Sequence, residues 1–221
     1  LEQIGPPAMA PLLRYVQRRY PKEDTGEPFK SLGRIARKYG SDLPEDIVRE
    51  SLGVCMGLFE GRRSKKGNFA VALAYLAGHT PTGAERYEEA LEALKEKRGE
   101  AGFAYDVFEA LGVMAGAPNA APEHQRELFE LFRQVLHMKT PSMLGKKRET
   151  QEGTVYEFGS EVLFDTRLLP AVVGGLERIG TSPTTPDDLR TEVVKEMLVQ
   201  WEGVSHVRVV WGPGAMDSLI Q

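Results

Sequence analysis

From Phe69 to Leu76 the chain reads Phe-Ala-Val-Ala-Leu-Ala-Tyr-Leu, which would be apolar on nearly every side of a helix. A helix without a polar face has to be wrapped by other elements. This segment is therefore expected at the centre of a multi-helix body. The apolar run Phe69–Ala77 falls far short of the ~20 residues that a bilayer span needs.

The flanking sequence supplies wrapping helices. Met9–Tyr20 reads as a first helix with Pro11 in its first turn, where a missing amide costs little, and Pro21 ends it. A second starts near Pro28 and carries Phe29, Leu32, Ile35, Ala36 and Tyr39 at three-and-four spacing, with Gly40 as terminator. Asp42 and Glu45 form a capping-box pattern ahead of a helix through Phe59. Asn68 can cap the central helix. Thr82 and Glu85 repeat the capping pattern before an amphipathic helix to Arg98. Phe103–Met114 and Pro122–Met138 read as two more helices.

The character of the chain then changes. Lys139–Gly153 is polar and aperiodic. Thr154–Phe158 and Glu161–Asp165 are β-prone segments joined by Gly159-Ser160, a two-residue hairpin signal. A helix from about Leu168 follows. Thr185-Pro186-Asp187-Asp188 marks the start of another, running to Trp201. Val204–Trp211 reads as a late strand. The expected fold class is mainly α. A helical bundle over 1–138 and a polar linker over 139–153 precede a smaller α+β region over 154–221 (hairpin, two helices, strand) that could pack on the first.

Chemistry is harder to find. The four histidines, His79, His124, His137 and His206, are scattered and form no helical metal pair, so neither a metal nor a cofactor is expected. His79 reads as a surface or capping residue at a helix end, and His124 as solvated. No phosphate-binding glycine loop is present. Ser160 lacks the context of a nucleophile elbow and reads as a turn residue. Cys55 sits between Val54 and Met56 on an apolar face, where a thiol packs rather than reacts. No catalytic residue is assigned. With that one cysteine and no leader pattern at its start, the chain reads as cytoplasmic.

Charge is the more informative pattern. The net charge of −4 is unevenly spread: residues 1–66 hold 13 Lys and Arg against 9 Asp and Glu. Arg14, Arg18 and Arg19 form a stripe on the first helix. Lys30, Arg34, Arg37 and Lys38 lie opposite the apolar stripe of the second. Arg62, Arg63, Lys65 and Lys66 occupy a glycine-bounded loop, with Lys146, Lys147 and Arg148 a further cluster. Such stripes and loops can follow a rail of phosphates without reading bases. The expected partner is therefore nucleic acid, held by its backbone, and the bland alternative is a set of solvated helix faces.

Two resemblances bear on this. Gly57-Leu58-Phe59, the basic loop, Gly67-Asn68-Phe69 with Ala72-Leu73-Ala74-Tyr75-Leu76, and Ala84-Glu85-Arg86-Tyr87 heading Ala90-Leu91 lie within residues 53–115. That stretch resembles the helical small subunit of type I-E CRISPR Cascade complexes. The resemblance implies a non-catalytic helical subunit that binds nucleic acid through basic surface residues. The segment from Thr154 onward has no counterpart in it. Separately, Leu13–Tyr15, Leu32-Gly33-Arg34-Ile35, Ile47 and Asn68 with Ala74-Tyr75-Leu76 resemble DnaD-type replisome-organiser domains, with an insertion around Phe59–Lys66.

Together these observations lead to the expectation of a non-catalytic, nucleic-acid-binding accessory subunit of a CRISPR-effector-like or replication-like complex, with protein partners or self-association and no membrane. Two rival readings are an interaction component of a phage or mobile-element assembly, using Trp201 and Trp211, and an enzyme with a dispersed active site.

Overall fold

The computed structural model describes residues 4–19, 26–60, 67–99, 104–137, 147–150, 153–158, 162–165 and 168–203. Its helices are α1 (Met9–Arg19), α2 (Gly26–Tyr39), α3 (Glu45–Glu60), α4 (Gly67–His79), the single turn α5 (Pro81–Ala84), α6 (Tyr87–Lys97), α7 (Ala104–Ala115), α8 (Pro122–His137), α9 (Leu168–Thr181) and α10 (Asp187–Gly203). None of the described helices is long and apolar enough to cross a membrane.

The polar-faceless segment does sit at the centre. Ala70, Ala72, Leu73, Ala74, Leu76 and Ala77 of α4 are fully buried. The helix lies between α2 and α7, while α7 in turn lies between α4 and α9. Around this row α3 covers α4, α6 covers α7, and α8 and α10 pack on α9. One continuous apolar core runs from Ala8 in the first turn of the chain to Met197 in α10.

Two helix crossings in the row depend on glycine. A Cβ on Gly33 of α2 would stand 3.1 Å from the Ala72 Cα of α4. One on Gly112 of α7 would stand 2.8 Å from the Gly175 Cα of α9, and one on Gly175 would meet the Phe132 ring at 2.6 Å. Removing the side chain lets the backbones approach closely, at the entropic cost glycine carries in a helix. Phe29 of α2 and Phe69 of α4 complete the first crossing edge to face, with centroids 4.3 Å apart.

Helix starts differ from their sequence signals in instructive ways. Thr80, not Thr82, is the cap. Its hydroxyl accepts from the Gly83 amide at 2.9 Å and donates to the Leu76 carbonyl at 2.7 Å, so one side chain closes α4 and opens α5. Pro81 then fits the first turn, where no amide is needed. Asp42 lies in a short 3-10 turn, Gly40–Asp42, and α3 begins at Glu45 with the Pro44 carbonyl accepting from Val48. Thr185 points its hydroxyl backward onto the Ile179 carbonyl of α9 at 2.6 Å instead of capping α10.

The expected fold class is corrected. The two helices after residue 167 belong to the same helical core as the N-terminal ones, and no strand takes part in that core among the described residues. The fold is mainly helical, without the α+β region read from the sequence. Backbone pairing at Lys147–Thr150 (β1), Gly153–Phe158 (β2) and Val162–Asp165 (β3) is a short antiparallel ribbon between α8 and α9. Lys147 stands opposite Tyr156, and Phe158 opposite Val162. The Gly159-Ser160 turn and the late strand Val204–Trp211 lie outside the described residues. β-prone residues and a turn signal gave the β reading, but the helical rhythm of α9 and α10 decides where their side chains are buried.

The glycine crossings yield a paired test. Gly112→Ala forces backbones apart and should destabilise the fold by about 1–3 kcal/mol in urea unfolding. Gly53→Ala, on an exposed face of α3 with nothing within 4 Å of the added carbon, should be neutral or stabilise by up to about 1 kcal/mol.

Candidate nucleic-acid interface

The structure divides the cations into paired and open sets. Arg126 of α8 reaches Asp188 at 2.5 Å and Glu192 at 3.1 Å, both on α10. Arg86 binds Glu89, Lys95 binds Glu92 and Glu127, and Arg133 lies 3.5 Å from the buried Glu196, which also meets His137 at 2.8 Å. These side chains stitch helices together or dress a helix face, and are committed to carboxylates.

The sequence-predicted cations behave differently. Arg14, Arg18 and Arg19 are exposed on α1, and Arg14 and Arg18 make no ion pair among the described residues. Lys30 is the exception on α2: it pairs with Glu27 at 3.0 Å and also faces Asp106, whose carboxyl burial and Glu109 hold above its usual range. Arg34 is exposed. Arg37 stands 5.9 Å over the Tyr75 ring, and Lys38 stands 5.0 Å over the Tyr39 ring. Because α1 packs on α2, the two stripes belong to neighbouring helices. Arg62, Arg63, Lys65, Lys66 and Lys146 lie outside the described residues, and Lys147 and Arg148 are placed only as backbone of β1.

Next to Arg37 the helix row opens into a cleft of about 180 Å³, bordered by Tyr75, His79, Arg178, Ser182 and Pro183. Three helices end here: α4 at His79, α7 at Ala115 and α9 at Thr181. Their last carbonyls are held by donors from other segments. Asn119 Nδ2 donates to Ala77 and Thr80 at 2.8 Å, and Gln125 Nε2 donates to Ala115 at 3.1 Å. Thr185 Oγ1 donates to Ile179 at 2.6 Å, and just past the end of α9 Arg190 donates to the carbonyls of Ser182 and Thr185 at 3.1 and 3.2 Å. The ends that would otherwise be unsatisfied and exposed are therefore fixed, and the cleft walls with them.

His79 is half-buried there, its ring 5.5 Å from that of Tyr75. Burial, helped by the Arg37 charge, pushes its pKa down to about 4, so the imidazole is neutral near pH 7. Among the described residues neither ring nitrogen has a hydrogen-bond partner. The sequence reading of a surface or capping histidine missed this setting, and it did not single out Arg178. The signal was present: Arg178 is the one cation in the apolar helix Leu168–Thr181.

Other reactive groups are occupied by the fold. Cys55 is fully buried in α3, and burial pushes its thiol up to about 12. The Tyr87 hydroxyl donates to the Met114 carbonyl at 2.8 Å, and burial raises its pKa. Among the described residues no three His, Cys, Asp or Glu side chains are grouped to hold a metal. No protein-family model matches the chain, and the comparison with curated proteins finds no relative.

His79 should leave a mark on stability. The unfolded chain titrates near 6.5 and the folded chain near 4, so the unfolded state takes the proton first. The contribution is complete above the unfolded value and is lost as pH falls through the folded one. Between neutral pH and pH about 4, wild type should lose on the order of 2 kcal/mol more than His79→Gln, read by urea unfolding at each pH.

Proposed function

We propose that this protein is a non-catalytic accessory subunit that holds the phosphate backbone of a nucleic acid along α1 and α2. One observation carries the reading. The cations Arg86, Lys95, Arg126 and Arg133 are tied to carboxylates, whereas Arg14, Arg18, Arg37 and Lys38 have no carboxylate partner among the described residues. Exposed guanidinium and ammonium groups on adjacent helices release counterions when phosphates replace them, which gives affinity without base specificity. The two sequence resemblances imply the same class of role, in a CRISPR effector or at a replication complex. The loop cations Arg62, Arg63, Lys65 and Lys66 lie outside the described residues and add to the reading by their sequence alone.

A protein-assembly role is the second reading. An apolar groove of about 560 Å³ lies beside α1 between Pro7, Pro11, Leu12, Tyr15 and Pro28, next to Ile4, which is 59% exposed. Apolar surface of this kind is a place for a protein partner. In that case the purified protein forms a stable protein complex and carries no nucleic acid.

Binding of labelled single- and double-stranded oligonucleotides across a salt series separates the two. The expected result is affinity that falls steeply with salt, and a double variant Arg14→Glu with Arg18→Glu that binds at least about tenfold more weakly at low salt. That variant should also flatten the salt slope by roughly two units, one per lost phosphate contact. Undetectable binding at low salt, or an unmoved slope, would sink the backbone reading.

A further inference from the structure

We infer that the cleft at the ends of α4, α7 and α9 takes one unstacked base of a single strand, with Arg37 and Arg178 beside its phosphate. This rests on the nucleic-acid reading above and narrows it to single-stranded substrate.

Size is the first argument. At about 180 Å³ the cleft has the liquid volume of about six water molecules, well below the ~300–1,000 Å³ of sites that enclose whole cofactors. A single heterocyclic base fits that space, whereas a complete dinucleotide does not. Surface chemistry is the second. Tyr75 and His79 put two flat rings along one side, tilted 48° to one another, and Pro183 and Val113 add apolar surface. Flat apolar surface is what an unstacked base seeks when it leaves its neighbours.

Polar groups supply the third. A neutral imidazole carries one N–H donor and one bare nitrogen acceptor, and those of His79 are unused among the described residues. The low pKa of His79 keeps both functions present at physiological pH. The Thr181 hydroxyl already donates to the Glu177 carbonyl at 2.8 Å, so its lone pairs remain to accept. A base edge, which presents donors and acceptors side by side, finds both kinds of partner here. Arg37 and Arg178 border the same cleft, and neither has a carboxylate partner among the described residues. That leaves two cations where the base's own phosphate would lie. Arg37 also belongs to the α2 stripe, so a strand following that stripe passes the mouth of the cleft.

The test compares four probes on the intact protein: a single-stranded oligonucleotide, a duplex of the same sequence, adenosine monophosphate and inorganic phosphate. Two variants leave the α1 and α2 cations untouched. His79→Ala removes the donor–acceptor pair, and Thr181→Trp fills the cleft from an exposed rim position, so a folding defect in the first does not decide the result. The expected result is single-strand affinity about tenfold lower in both, the salt slope unchanged, and duplex affinity unmoved. In wild type, adenosine monophosphate should shift the His79 ring resonances and inorganic phosphate should not. Equal losses on duplex and single strand, or no loss on either, would overturn the base site. If the oligonucleotide still binds with an affinity that falls with salt in that case, the backbone reading survives alone. Inorganic phosphate binding as tightly as the mononucleotide reduces the cleft to an anion site and also overturns the proposal. So does mononucleotide binding as tight as the strand's, which would make a free nucleotide the ligand.

Discussion

The architecture depends on backbones that touch. Gly33 against Ala72 and Gly112 against Gly175 bring four helices into one row with almost no side-chain spacer between them. Dispersion contacts are short-ranged, so a row this tight gains packing along its whole length, but only while its small residues stay small. Everything on either side is placed by that row. α3 and α6 cover it, α8 and α10 close it through Phe132 and the Arg126 ion pairs, and the cleft opens where three of its helices stop.

A close-packed row of helix ends has a polar cost, because each C-terminus leaves carbonyls without an amide. Here neutral amides and hydroxyls meet most of it. Asn119, Gln125, Thr80 and Thr185 each donate to a carbonyl in the last turn of a helix. The cations bordering the cleft are thereby left with other work. The uneven charge of the sequence acquires a structural meaning: carboxylates of α6, α8 and α10 hold cations in interhelical and surface pairs, while Arg14 and Arg18 of α1 and Arg37 and Lys38 of α2 have no carboxylate partner among the described residues.

Much of this was legible in the residues and some was not. The central place of Phe69–Leu76 followed from its lack of a polar face, and the buried side of α2 followed from the spacing of Phe29, Leu32, Ile35 and Ala36. Helix starts were displaced where a threonine or aspartate could serve either neighbour. Thr80 was passed over for Thr82 because a one-dimensional pattern does not show which residue also needs to close the preceding helix. The α+β reading failed for a related reason. Val155, Tyr156 and their neighbours are β-prone and flank a turn signal, but such a local signal says nothing about whether α9 and α10 will join a sheet or the helices before them, and Gly175 under Phe132 settles that in three dimensions. The basic stripes were visible by position. The cleft was not, since Arg37, His79 and Arg178 meet only through the packing of α2, α4 and α9.

The place of Cys55 has a consequence of its own. A sulfur enclosed at the heart of α3 and protonated up to about 12 offers oxidants and electrophiles no thiolate to attack. As it is the chain's one cysteine, the native fold has no sulfur free to join copies covalently, and peroxide or glutathione gains no handle on it. A thiol engineered onto the surface would therefore be the one that takes a spectroscopic label, with Cys55 left untouched.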